Sequence, residues 1–175
     1  MSLTMYAITV PALLRGFGVM SHYLDAAEAY TTDKKISPSV LLDARLYPDM
    51  MSLTGQVQRM SDAAKSAIVR LTGVLNMPMA DTETSFDALR DRVAKTAAMI
   101  SAVDPHLFEG SEDRTTEVKI RGGQGKMRGD AYVLQVLLPN FYFHLATAHD
   151  ILRHNGITVG KADYFGAIAF SESAT

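Results

Sequence analysis

Histidines are the residues of this chain best suited to chemistry. Three of its five histidines fall in one stretch, PNFYFHLATAHDILRHNG, at positions 144, 149 and 154. An imidazole can hold a divalent metal, move a proton or respond to pH near neutrality. Helices that bind metals use i, i+3 or i, i+4 pairs, because those spacings project both rings the same way. A step of five behaves differently: at about 100° per residue it leaves His144 and His149 about 140° apart. The i+4 partner of His144 is Ala148, and that of His149 is Arg153, a permanent cation rather than a ligand. One face of this helix therefore supplies no ligand pair. Relative to the apolar stripe, His144 sits on one shoulder and His149 on the other, beside Tyr142 and Arg153. His154 points outward, four residues after Asp150 and close to the helix C-terminus, where a histidinium suits the macrodipole.

His144 and His149 each have two readings, as hydrogen-bonded residues at a helix interface or as members of a polar pocket. The pocket reading needs partners from another helix, and ARLYPDM (44–50) together with Gln56 provides them. Arg45, Asp49 and Gln56 can meet the shoulder of the last helix and line a pocket with Tyr142, His144, His149 and Arg153. Asp49, His144 and His149 are the metal candidates in that set. Asp49 equally suits the first turn of a helix, where exposed amides stabilise a carboxylate, and Arg45 equally suits an ion pair with Asp49.

Other chemistries are excluded more firmly. The chain has no cysteine, which removes disulfides, thiolate metal sites and cysteine nucleophiles together. RGGQGKMRG (121–129) invites a phosphate-loop reading, but Ile120 stands where the first glycine is required and Met127 where a Ser or Thr would hold magnesium. No nucleophile elbow, zinc-protease helix, dinucleotide fingerprint or RNA-binding aromatic motif is present. A formal net charge of -2 gives no general attraction to polyanions, so neither nucleic acid nor an anionic membrane is an expected partner. The opening MSLTMYAITVPALLRGFG has no basic residue before Arg15 and reads as neither a signal peptide nor a membrane span. A cytoplasmic, bacterial protein is expected.

The elements that must position these side chains follow from periodicity. In the first long pattern, from about Thr9 to Tyr30, Val10, Leu13, Leu14, Phe17, Met20 and Leu24 form one stripe. A short helical piece is expected over Val40 to Leu46. In the second pattern Met50, Leu53, Val57, Met60, Ala64, Ala67, Leu71 and Val74 alternate steps of three and four, with Pro48 fitting the first turn. A third helix carries Phe86 to Val103 and stops at Asp104-Pro105. TTEVKIR (115–121) alternates as a strand, GGQG (122–125) can turn, and KMRG returns. The last helix spans about Asp130 to Asn155, with Leu134, Leu138, Phe141, Leu145, Ala148 and Leu152 on one face. Pro139 predicts a kink inside it, and Gly156 its stop. The ten methionines are spread along the chain and read as core filling. The expected fold is all-α: a four-helix bundle over residues 1–170 with a small β-hairpin or structured loop inserted before the last helix, followed by a short polar tail at 171–175.

ARLYPDM with Gln56, LPNFYFH (138–144), ILRHNG (151–156) and VGKADYFG (159–166) resemble the bacterial domain-of-unknown-function family 1993. That family is similar to the DinB/YfiT-like superfamily of predicted metalloenzymes, four-helix bundles that often dimerise. The resemblance implies a metal held by one His of the second long helix and a His-x-x-x-His pair of the last. Here His149 takes the first position of the pair and Arg153 the second, and with no histidine in the second helix Asp49 or Gln56 must substitute. Two functions are implied. The favoured one is a homodimeric, small-molecule-binding or non-catalytic protein with a degenerate metal site. The other is a hydrolase or transferase that uses a divalent metal, zinc or nickel, at an atypical His/Asp site. Phe143, Phe165 and Phe170 are candidates to cover the dimer surface.

Overall fold

The computed structural model describes residues 3–120 and 122–168. Helix α1 spans Met5–Lys34, longer at both ends than the apolar stripe predicts. At its start the Thr4 hydroxyl accepts from the Ala7 amide at 3.1 Å and Met5 is buried. At its end Thr31 is buried with its hydroxyl donating to the Glu28 carbonyl, and Lys35 closes the helix in a left-handed conformation, φ 53°.

The next segment departs further from expectation. Helix α2 covers only Ser39–Leu42, and α3 begins at Leu53 rather than beside Pro48. The reason is local. Ser52 is the N-cap, its hydroxyl accepting from the Gly55 amide, while the Met50 amide donates to the Tyr47 carbonyl and turns Pro48 and Asp49 into a bend. The expected place of Asp49 in the first turn of a helix is therefore corrected: it lies in the loop before one. Helix α3 then runs through Thr72 and ends at Gly73, φ 78°. Helix α4, Phe86–Ser101, is capped by the Ser85 hydroxyl and followed by a short 3₁₀ turn at Pro105–Phe108.

Strands β1 (Thr115–Ile120) and β2 (Gly123–Arg128) form an antiparallel hairpin in the register Thr115↔Arg128 to Ile120↔Gly123. Gly123, Gln124 and Gly125, expected to turn, pair instead with Ile120, Lys119 and Val118 in the ladder.

The last helical run has three parts: α5 at Gly129–Tyr132, a π-helical turn at Val133–Leu137, and α6 at Leu138–His154. The wide turn immediately precedes Pro139, whose missing amide would otherwise break the ladder. It also shifts the phase of the buried face. Val133 and Leu137 point inward, whereas Leu134, predicted on the apolar stripe, is exposed. Beyond Pro139 the stripe runs as expected through Phe141, Leu145, Ala148 and Leu152. At the end the amide of Gly156 (φ 90°) donates to the Arg153 carbonyl and that of Ile157 to the Leu152 carbonyl, a glycine-based stop. Helix α7, Lys161–Phe165, lies against α1.

The fold is a four-helix bundle in which α3 packs on α4 and α6, and α1 packs on the other side of the same two helices. The core is filled by Phe17, Met20, Tyr23, Met60, Phe86 and Phe141. Gly16 sets the approach of α1 to α6, since a Cβ there would stand 2.4 Å from the Phe141 ring. The hairpin stands beside the start of the last helical run. Among the described residues no helix is long and apolar enough to cross a membrane. Phe170 and the tail at 171–175 lie outside the described residues.

Candidate functional site

Where α3 meets α6, two of the sequence candidates touch. Gln56, one position before the buried Val57, is itself only 1% exposed. Its Nε2 donates to the Met51 carbonyl at 2.9 Å, which fixes the amide so that Oε1 faces His144. The His144 Nδ1, 2.8 Å from that oxygen, must then carry the proton and donate, leaving Nε2 as the unprotonated, accepting nitrogen. Burial and the nearby Arg59 cation push the His144 pKa down to about 4, so the ring is neutral at pH 7.

His144 forms one end of a groove of about 660 Å³ bounded by α3, β1 and the last helical run. Helix α3 contributes Arg59, Asp62, Ala63, Ser66 and Arg70, spaced by threes and fours along one face. The π turn contributes Gln135, Val136 and Leu137, and β1 contributes Val118 and Lys119. Turns of this kind recur at functional sites because they re-aim side chains out of helical phase.

The two ends of the groove are electrostatically different. Arg59 is ion-paired to Asp62 at 2.9 Å and also to Asp81, and Asp62 further accepts from Lys65 and from the buried Arg92. Arg70, at the other end, donates through Nε to the Glu117 carbonyl at 3.3 Å and lies over the Tyr132 ring, 5.5 Å from its centroid. Tyr132 is buried, and that burial raises its pKa.

The remaining sequence candidates lie elsewhere. Arg45 is exposed and donates to the Met50 carbonyl at 2.6 Å, and Asp49 is exposed. Among the described residues Asp49 has no hydrogen-bond or ion-pair partner, so the alternative pairing with Arg45 is not made. The Tyr142 hydroxyl accepts from Arg15 Nη2 at 2.7 Å, while Arg15 Nη1 reaches the Phe165 carbonyl. His149 faces α1, its Nδ1 2.8 Å from the hydroxyl of Tyr23, with the Tyr164 ring edge-on at 6.1 Å. Arg153 is exposed, at 3.4 Å from the Ile157 carbonyl. His154 is exposed as expected, without a bond to Asp150 among the described residues.

The structure thus brings together Gln56 and His144, and separately Tyr23 and His149. Tyr23, Arg59, Arg70 and Tyr132 were absent from the sequence candidates. The face Arg59-Asp62-Ala63-Ser66-Arg70 was available in the helical spacing of α3. Tyr132 and Gln135 were hidden because their side of the last helix depends on the π turn.

A metal centre of the kind the resemblance implies does not fit this donor set. A catalytic zinc site uses three protein ligands and one open position. Among the described residues no group of three or more His, Cys, Asp or Glu converges as such a site requires. At the α3–α6 seam, α3 presents an amide oxygen already engaged by the imidazole N–H.

Comparison with known proteins follows the same line. A crystal structure of a DinB family member from Shewanella denitrificans aligns at a TM-score of 0.86 and 34% sequence identity, over 96% of this chain and 95% of that one. No protein of curated function matches the sequence. The family model described as Domain of unknown function (DUF1993) matches residues 5–165. With this bundle, its inserted hairpin and that match, the chain belongs to the DUF1993 family and carries a DinB-like fold.

Proposed function

We propose that this is a small-molecule-binding, non-catalytic protein that works as a homodimer, with the position of a bundle metal given over to an amide–imidazole pair. The observation that carries this reading is the Gln56 side chain, held at one end by the Met51 carbonyl and at the other by His144. A ligating His on α3 would leave His144 free to coordinate; Gln56 instead engages the His144 N–H and joins the two helices. What the seam retains is a concave, half-polar groove with an imidazole acceptor at one end and cations along one wall. Concavity with a few placed polar groups is what a small-molecule site requires. The dimer part of the reading is supported by Phe143 and Phe165, large apolar residues that are 55% and 41% exposed.

The test is metal content and ligand-free assembly. Protein purified without chelators is expected to hold zinc and nickel far below one per chain, and to add neither tightly in calorimetric titration. Stoichiometric, tightly held zinc or nickel would overturn the reading. Size-exclusion chromatography with light scattering is expected to give a dimer mass, and a monomer at high concentration would remove the homodimer from it.

A further inference from the structure

The groove has an unused charge at one end. Along α3, Arg59 and Arg70 are eleven residues apart, about 16 Å of helix, so the groove is elongated and its ends can be considered separately. The Arg59 end is neutralised by Asp62 and Asp81. At the other end Arg70 and Lys119 have no carboxylate partner among the described residues. Two acidic side chains in and before the hairpin are engaged elsewhere: Glu117 lies 3.9 Å from Lys126 across the hairpin, and Asp113 pairs with Arg128 at 2.5 Å.

Arg70 is also unlike a solvated surface arginine. It is half-buried, its Nε is fixed to the Glu117 carbonyl, and its guanidinium lies over a tyrosine ring that is itself 4% exposed. A guanidinium held this way loses little conformational freedom when its terminal nitrogens take a planar oxyanion in two parallel hydrogen bonds. Next to it Val118, Val136 and Leu137 give the groove an apolar wall.

We propose that the hairpin end of the groove is an anion subsite. There Arg70 and Lys119 receive the carboxylate or phosphate head of an organic ligand whose apolar body lies along Val118, Val136 and Leu137. This rests on the reading that the groove binds small molecules, and it names the class: amphipathic organic anions, with Tyr132 as a positioning residue beneath Arg70.

Protein-observed NMR with three probes tests it: 4-phenylbutyrate, its neutral amide, and phenyl phosphate. Both anions are expected to shift the amides of Val118, Tyr132 and Gln135 and to bind at least about fivefold more tightly than the amide. The tighter of the two identifies the head as carboxylate or phosphate. Arg70→Gln is expected to abolish the preference for the anions and Lys119→Gln to reduce it. Arg70→Lys, which keeps the charge without the fork, should recover it only in part. If Arg70→Gln fails to fold, the amide comparison in the unaltered protein and the exposed Lys119→Gln variant still decide. The subsite is overturned if the amide binds as tightly as the acids, if both Arg70→Gln and Lys119→Gln leave anion affinity unchanged, or if neither anion shifts these residues at about 20 mM. Equal binding of all three probes in the groove would sink the subsite while leaving the small-molecule reading intact. Tight zinc or nickel would sink that reading independently.

Discussion

Five residues apart on α6, His144 and His149 are held in opposite ways by the helices they face. Toward α3, His144 meets an amide oxygen and donates to it; toward α1, His149 meets a buried phenol and accepts from it. The first ring closes one end of a half-polar groove, whereas the second packs beneath Tyr164, where α7 lies against α1. Neither difference resides in the histidines or in the helix that carries both. The lesson is that a candidate residue on a bundle helix takes its chemistry from the neighbouring helix, so a motif on α6 alone does not define a site.

Removing the α3 partner of His144 should weaken the fold most. Gln56→Leu keeps the volume near that of glutamine but strands the His144 N–H and the Met51 carbonyl. A buried group left without its partner costs about 1–3 kcal/mol, and two are affected here. The variant is expected to lose about 2–3 kcal/mol of stability, a fall in Tm of about 4–12 °C for a chain of this size. Thermal unfolding checks it. A loss below about 0.5 kcal/mol would mean that water replaces the amide and that the pair does not tie α3 to α6.

A change of pH attacks the same pair without mutation. The His144 pKa is about 4 in the folded chain against an ordinary 6.5. Between those values the unfolded chain binds the extra proton and the folded chain does not, so stability rises with pH across this window. It is fully present above pH 6.5 and is lost as pH falls toward 4, by roughly 1–2 kcal/mol once the partial exposure of the ring is allowed for. Denaturant unfolding of the protein and of His144→Asn at several pH values measures it, with the variant expected to show a flatter curve. Taking the difference cancels His106, whose pKa is raised by its hydrogen bond to Glu109 and which therefore contributes the opposite slope. Identical slopes in the two proteins would mean that His144 titrates normally and that the contrast with an ordinary exposed histidine is absent.

How much of this was legible in sequence differs by element. The α3 stripe from Leu53 to Leu71 and the α6 stripe beyond Phe141 were readable because steps of three and four persist over several turns. Gln56 was readable too, as a polar residue beside a seam. Asp49 was misplaced because Pro48 suits a helix start as well as it suits a turn, and only the Ser52 cap decides between them. Leu134 was misassigned for a different reason: one extra residue in the π turn rotates everything before Pro139, and periodicity alone carries no mark of it. Residues whose position depends on that turn, Tyr132 and Gln135 among them, enter the groove only in three dimensions. The partners of the histidines were illegible in principle, since Tyr23 is 126 residues from His149 and Gln56 is 88 from His144.

The gentlest prediction addresses the protons themselves. Tyr23 is fully buried, and burial raises its pKa, so its hydroxyl keeps its proton. Among the described residues the acceptor within reach of that hydroxyl is His149 Nδ1. The phenol therefore donates, and His149 carries its own N–H on Nε2, the reverse of His144. Nitrogen-15 NMR couplings distinguish the two tautomers directly: Nδ1–H is expected for His144 and Nε2–H for His149. Tyr23→Phe preserves the ring packing and removes only the donor. It is expected to cost about 1 kcal/mol, less than Gln56→Leu, because one hydrogen bond is lost and the stranded nitrogen belongs to a half-buried ring. The same variant should leave the His144 signals and its low-pH midpoint unmoved, since the two rings face different helices. A shift of His144 on removal of the Tyr23 hydroxyl would show that the two sides of α6 form one coupled network.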